Sequence, residues 1–200
     1  MRVLNPFHEY YVHGRRVRRL CAHLIDLFPT DAQGLDVGCG DGQLASALMQ
    51  QRPDIKIGGL EVLVRPQAPI IVKKFDGYSI PYEDKSFDLV MFIDVLHHTE
   101  HAQALLEDAV RVARQTILIK DHLLSGIFAG TTLRFMDYVG NQRHGVALPY
   151  CYWSQQQWLE VFEKLQVRVG EWRTKLNLYP WPASWLFDRS LHFIVRLDVL

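Results

Sequence analysis

The stretch Asp36-Val37-Gly38-Cys39-Gly40-Asp41-Gly42 puts glycines at alternate positions and carboxylates beside them. Glycines so spaced let a backbone turn tightly and let a ligand approach with no Cβ in the way. An apolar strand pattern leads into the turn, and Leu44, Ala45, Leu48 and Met49 continue as a helix. Strand, glycine turn and helix N-terminus make a nucleotide-type site at the carboxyl end of a parallel strand. A dinucleotide fingerprint needs a small residue three positions past its second glycine, where helix and strand pack closely. That position holds Gln43, and the extra glycine falls at Gly42. Glu61, about twenty residues on, stands where an acid can accept both ribose hydroxyl hydrogens. Asp36 and Asp41 suit a cationic sulfonium with an amino-acid tail better than a diphosphate.

A second group of chemistry-bearing residues follows two later strands. His97, His98 and His101 come after the fourth, and Asp121 with His122 after the fifth. Ligands gather at strand carboxyl ends in open sheets. His97 reads as a wall of the ligand pocket, and His98 and His101 as surface residues at a helix start. Asp121 and His122 read as a pair for binding or proton abstraction, with a turn or helix-cap role as the rival. None of these histidines shows a recognised metal-ligand spacing, so no metal is expected. Cys21, Cys39 and Cys151 are odd in number and unrelated in spacing, which fits a reducing compartment without disulfides. Cys39 reads as a small packed residue rather than a nucleophile.

The elements that must position these residues alternate between strand and helix. Val12 to Phe28 has apolar residues at helical spacing, and Pro29 ends it. A helix after the glycine turn stops before Pro53. Lys56–Val64, Pro69–Lys73, Phe87–Ile93 and Gln115–Lys120 read as further strands, and Ala102–Ala113 as a helix. The continuous apolar run Phe87–Ile93 marks a strand buried on both faces. This alternation argues for an α/β doubly wound, mostly parallel sheet. Later, Leu123–Val139 and Trp153–Leu165 read as helices, and Gln166–Trp172 and Leu191–Leu197 as strands. With 200 residues, no repeat and no linker, a single domain over 1–200 is expected.

Acids and bases balance at 22 each, which argues against a whole-molecule field for nucleic acid. The one basic run, Arg15-Arg16-Val17-Arg18-Arg19, reads as the solvated face of an amphipathic helix. No signal-peptide core and no membrane-length apolar run are seen, so a cytoplasmic protein without a transmembrane segment is expected.

Several motifs in register carry a family resemblance. Leu35–Ala45 and Glu61 are followed by Phe75-Asp76-Gly77, Ile80-Pro81-Tyr82, Ser86-Phe87-Asp88-Leu89-Val90 and Asp94-Val95-Leu96-His97-His98. Over roughly Leu20 to Asp121 the chain resembles the class I S-adenosylmethionine-dependent methyltransferases, of the type 11 group. The resemblance implies a Rossmann-like sheet with an antiparallel C-terminal strand and S-adenosylmethionine as cofactor. It implies that Gly38, Cys39, Gly40 and Gly42 shape the turn around the methionine part, with Asp36 supporting it. It puts Glu61 and Val62 at the ribose, and Asp76 with Gly77 at the adenine edge. It puts Asp94, Val95 and His97 at the pocket floor beside the sulfonium. His97, Asp121 and His122 are then the candidate catalytic residues.

The expected reaction is in-line methyl transfer to a small-molecule or lipid-like acceptor, in which the enzyme chiefly aligns nucleophile and methyl carbon. Arg134, Asp137, Asn141, His144 and Tyr150 form a polar and aromatic cluster that could contact the acceptor, or bond to loop backbone. Tyr10, Tyr11 and His13 could close over the cofactor. The aromatic segment Leu176–Phe187 reads as core or as a homodimer contact, with an apolar acceptor or lipid surface as the alternative. Competing functions are a non-catalytic protein that binds the cofactor or its product, and a nucleic-acid methyltransferase. The second is disfavoured because Asp94-Val95-Leu96-His97 replaces the Pro-Pro-aromatic motif used on base amines. A nicotinamide dehydrogenase is opposed by Gln43.

Overall fold

The computed structural model describes the backbone of residues 5–141 and 149–200 and the side chains of 14–139 and 149–200. Its centre is a seven-stranded sheet in the order β3-β2-β1-β4-β5-β7-β6. The strands are β1 (Gln33–Val37), β2 (Lys56–Glu61), β3 (Val72–Lys74), β4 (Phe87–Ile93), β5 (Ala113–His122), β6 (Val167–Arg173) and β7 (His192–Val199). β7 runs antiparallel to its neighbours β5 and β6, and the other pairings are parallel. The helices are α1 (Asn5–Leu24), α2 (Gln43–Gln51), α3 (Ala102–Val112), α4 (Ala129–Asn141), α5 (Gln155–Lys164) and α6 (Ala183–Phe187).

Strand alternation divides the core into two layers. Val90 and Phe92 of β4, with Ile117 and Ile119 of β5, face α3 and α5. Leu89, Met91 and Leu118 face the opposite side, against Leu20 and Leu24 of α1 and Leu48 of α2. α3 meets the sheet with Leu105, Leu106, Ala109 and Val112, one stripe of a 3.6-residue period. Ser154 and Gln157 start α5 with a reciprocal capping box.

Several boundaries differ from the sequence reading for identifiable reasons. β2 stops at Glu61 rather than Val64, because the Glu61 carboxylate accepts the amides of Val62 and Leu63 at 2.8 and 3.2 Å and turns the chain. β3 begins at Val72, past Pro69, which has no amide to give to the ladder. β5 runs on to His122 instead of ending at Lys120, with Asp121 opposite Phe193 and His122 opposite His192 on β7. Leu123 extends this contact by donating to the Leu191 carbonyl at 2.8 Å, so α4 starts at Ala129 and not near Leu123.

Candidate functional site

A cleft of about 1030 Å³ opens at the carboxyl ends of β1, β2, β4 and β5. Gly38 and Gly40 line it, both with positive φ (75° and 59°). A Cβ on Gly38 would lie 2.6 Å from Val95 Cγ2, so the turn and the loop after β4 touch only because that atom is missing. Gly42 also has positive φ, at 74°, but it caps α2 and packs against Ile70 away from the cleft. Cys39 also turns from the cleft, toward Gly59. Burial and the nearby Asp36 push its thiol up to about 12, which removes it as a nucleophile at neutral pH.

Glu61, at the end of β2, accepts the Gly40 amide at 2.8 Å through one oxygen and the amides beyond β2 through the other. The same carboxylate therefore shapes the glycine turn and lines the cleft beside Val62. Asp76 sits in a turn, accepting the amides of Tyr78 and Ser79 at 2.8 and 3.0 Å, and Gly77 follows with φ 86°. Both line the same cleft.

Asp36 lies behind the turn, 2% exposed and off the cleft wall, with one carboxyl oxygen lacking any hydrogen-bond partner. Burial, and then Glu61, raise its carboxyl to about 8. A carboxyl raised in the folded state contributes full stability below its unfolded value near 4 and loses it as pH rises toward 8. In ligand-free protein, Asp36→Asn is expected to remove about 4 kcal/mol of this pH-dependent loss between pH 5 and pH 8, read from urea unfolding at the two values. Parallel stability profiles for the two proteins would mean that Asp36 ionises freely.

The cleft floor is charged. Asp94 directly follows β4 with φ 57° and pairs with Lys120 of β5 through one oxygen and with Arg16 of α1 through the other. Lys120 is 1% exposed and Asp94 12%, whereas the Arg16 side chain is 39% exposed. Burial pushes the Asp94 carboxyl up, but Lys120 and then Arg16 hold it well below the usual carboxylate range. Burial pulls the Lys120 ammonium down against the attraction of Asp94. Arg16 belongs to the basic run read as a solvated face; its head instead closes the cleft.

Beside this triad lies a nest of imidazoles. His97 sits in a single 3-10 turn, Leu96–His98, that follows β4. Its Nδ1 donates to Asp121 Oδ1 at 2.6 Å, and Asp121 also accepts the amides of His122 at 2.6 Å and Leu96 at 3.0 Å. Asp121 is fully buried and does not reach the cleft itself, whereas His97 and His122 do. Burial opposes charge on His97, but Asp121 and then Asp137 outweigh it and raise the imidazole to about 10. Burial, followed by the charge on His97, lowers His122 and brings His98 to about 4. The site thus holds an imidazolium backed by two carboxylates and a neutral imidazole on the cleft wall.

Asp137 joins from α4, accepting a hydrogen bond from the Tyr152 hydroxyl, with Oδ2 at 3.5 Å from His97 Nε2. Asp137 and Pro149 line the cleft, and Arg134 stands over the Tyr150 ring at 5.6 Å. His98 and His101, read as surface residues, also line the cleft. The side chains of Tyr10, Tyr11, His13 and Asn141, and the whole of His144, lie outside the described residues. In the aromatic segment, Leu176 and Leu178 are buried and Tyr179 reaches the cleft, while Trp181 and Trp185 are exposed. Sequence reasoning missed Arg16, Lys120, Tyr152, Tyr179 and His192. A lysine closing the apolar run Ile117-Leu118-Ile119 was the one available signal, since lysine is rarely buried unless paired.

This strand order, with β7 reversed beside β5 and the cleft at the glycine turn, defines a class I methyltransferase domain with a Rossmann-like sheet. A family model described as a methyltransferase domain matches residues 11–170, and the chain belongs to that family. A 27-O-demethylrifamycin SV methyltransferase of Amycolatopsis mediterranei (strain S699) is 27% identical over 111 aligned residues, spanning 48% of this chain and 40% of that protein. Two solved structures share the fold. One, from Thermotoga maritima, is described as a SAM-dependent methyltransferase and possible histamine N-methyltransferase, with TM-score 0.67, 16% identity and coverage of 100% and 97% of the two chains. The other, an S-adenosylmethionine-dependent methyltransferase of Mesorhizobium loti, has TM-score 0.64, 12% identity and coverage of 88% and 96%. Among the described residues no helix is long and apolar enough to cross a membrane.

Proposed function

We propose that this protein transfers the methyl group of S-adenosylmethionine in line to an oxygen of a small-molecule acceptor. The observation that carries this reading is His122, a neutral imidazole on the cleft wall between Asp94 and Asp137, at 4.0 and 3.8 Å. Such a group can take the proton of an acceptor hydroxyl. The likeness to a relative named for a demethylated oxygen position supports an oxygen acceptor.

The residues present fit the cofactor. Gly40 leaves open space where a Cβ would stand, and Gly38 brings the turn against Val95. Glu61 keeps acceptor capacity beside its Gly40 bond and is the acid for the ribose hydroxyls. Asp76 and Gly77 are the residues for the adenine edge. Asp94 sets a carboxylate near the sulfonium end of the cleft, its charge shared with Lys120 and Arg16. The cofactor, when bound, supplies an electrophilic methyl on a sulfonium, a good leaving group. The protein's contribution is alignment, exclusion of water and proton removal. His122 accepts the acceptor's proton, and Asp137 and Asp94 stabilise the resulting imidazolium. Asp121 fixes the His97 ring that braces His122.

Calorimetry with S-adenosylmethionine, S-adenosylhomocysteine and NAD tests the cofactor, and transfer of labelled methyl groups into metabolite and lipid extracts tests the reaction. Binding without any labelled product would favour a non-catalytic cofactor-binding protein, and preference for NAD would sink the proposal. Glu61→Ala is expected to weaken S-adenosylhomocysteine about 10- to 100-fold, through loss of charged hydrogen bonds and of the tie to Gly40. Unchanged affinity in a folded variant would remove Glu61 from the site.

A further inference from the structure

We propose that His97, His122 and Asp137 form a site for one divalent transition-metal ion of zinc's class at the acceptor end of the cleft. The residues come from the 3-10 turn after β4, from the end of β5 and from α4, so no local spacing announces them. One ligand atom from each lies within 4.8 Å of the others, and all three side chains are buried. His97 Nε2 is 3.5 Å from Asp137 Oδ2, and His122 Nε2 is 3.8 Å from Asp137 Oδ1. Two donors each at zinc-bond length and tetrahedral angle stand about 3.4 Å apart, so small movements would close the site.

A separate observation points to a ligand at this place. His97 is 2% exposed, yet its Nε2 makes no hydrogen bond within the protein, with the Asp137 carboxylate standing off at 3.5 Å. Its other nitrogen is fixed by Asp121 at 2.6 Å, the carboxylate–histidine arrangement that orients a metal-binding imidazole. His122 Nδ1 faces the same Asp121 oxygen at 3.6 Å, and the Tyr152 hydroxyl braces Asp137. The ligand shell therefore has its own supporting shell. A second triad, Asp94, His122 and His192, also has ligand atoms in range. There the Lys120 ammonium is bonded to Asp94 and stands 3.4 Å from His192 Nδ1, and this cation repels a metal ion.

Two imidazoles and one carboxylate favour zinc and its neighbours over magnesium or calcium, which prefer oxygen shells. Three protein ligands leave at least one position for an oxygen of a phenol, hydroxyl or carboxylate, and all three residues line the cleft. The ion site rests on side-chain geometry alone. With an ion bound, His97 gives up its proton and His122 is a ligand rather than the base, so the two readings describe alternative states of the cleft and are tested separately.

The test uses untagged full-length protein, stripped with chelator and desalted, without cofactor. Titration with Zn²⁺ is expected to show one equivalent bound, and Co²⁺ to develop visible d–d absorption displaced by Zn²⁺. Asp137→Asn and His122→Gln should each weaken Zn²⁺ by about 10- to 100-fold, with folding verified by circular dichroism. His192→Gln should leave Zn²⁺ affinity unchanged. Absence of binding to the wild type overturns the proposal and leaves the His97 imidazolium as the bridge between the carboxylates. Retained affinity in folded Asp137→Asn, or loss in His192→Gln alone, overturns it as well. Calorimetry of the stripped protein with S-adenosylhomocysteine tests the cofactor reading independently.

Discussion

Replacing Asp121 with asparagine is expected to lower the methyl-transfer rate by about 10²- to 10⁴-fold, the range that positioned proton transfer contributes. Asp121 receives three donors, from His97 Nδ1 and from the amides of His122 and Leu96. An asparagine has one accepting oxygen, so either amide orientation sets its NH2 against one of these donors. That mismatch costs about 1–3 kcal/mol of stability. It also removes the charge that, with Asp137, keeps His97 protonated, so His97 turns and His122 loses its brace. Affinity for S-adenosylhomocysteine should change little, because Asp121 does not line the cleft. Labelled-methyl turnover and calorimetry on one preparation check both parts. A rate within twofold of wild type would exclude Asp121 from the chemistry.

Asp94→Asn should cost about 3–5 kcal/mol in unfolding free energy, the penalty for leaving a buried charge without its partner. Asparagine tolerates the positive φ and keeps nearly the same shape, so the change isolates charge. Most of the loss belongs to Lys120, which is 1% exposed, because Arg16 can turn its guanidinium to water. The Asp94 carboxyl is held well below its ordinary value, so its stabilisation is present above the unfolded value near 4 and fades as pH falls. The deficit of the variant should therefore shrink on acidification. Adding Lys120→Met should recover much of the lost stability by removing the stranded cation. Urea midpoints across pH measure both effects, and a double variant no more stable than Asp94→Asn would refute this account.

Some of this architecture was legible in the chain and some was not. Phe87–Ile93 is read to the residue because a strand buried on both faces needs no alternation. The glycine turn and Glu61 were legible because backbone geometry and charge at a strand end leave few options. Asp121 and His122 were expected beyond β5, since polar residues normally mark a strand's end. Here the strand carries them inward, where each finds partners across the sheet. Arg16 was hidden by its neighbours, because four arginines in five residues read as one solvated face. Asp137 was named only as an acceptor contact, since its approach to His97 depends on how α4 returns over the sheet.

The placement of β7 between β5 and β6 has a consequence for the chain as it leaves the ribosome. β6 can join the sheet only through β7, which is made after it. Until residues 192–199 emerge, β5 is paired on its β4 side alone, and the backbone groups of Ile117-Leu118-Ile119 that face β7 lack partners. That is an aggregation-prone window during synthesis. The same pairing lays Phe193 and His192 against Asp121 and His122. A nascent chain with its glycine turn already formed would thus still lack a set acceptor side, and competence would arrive with the closing of one antiparallel ladder.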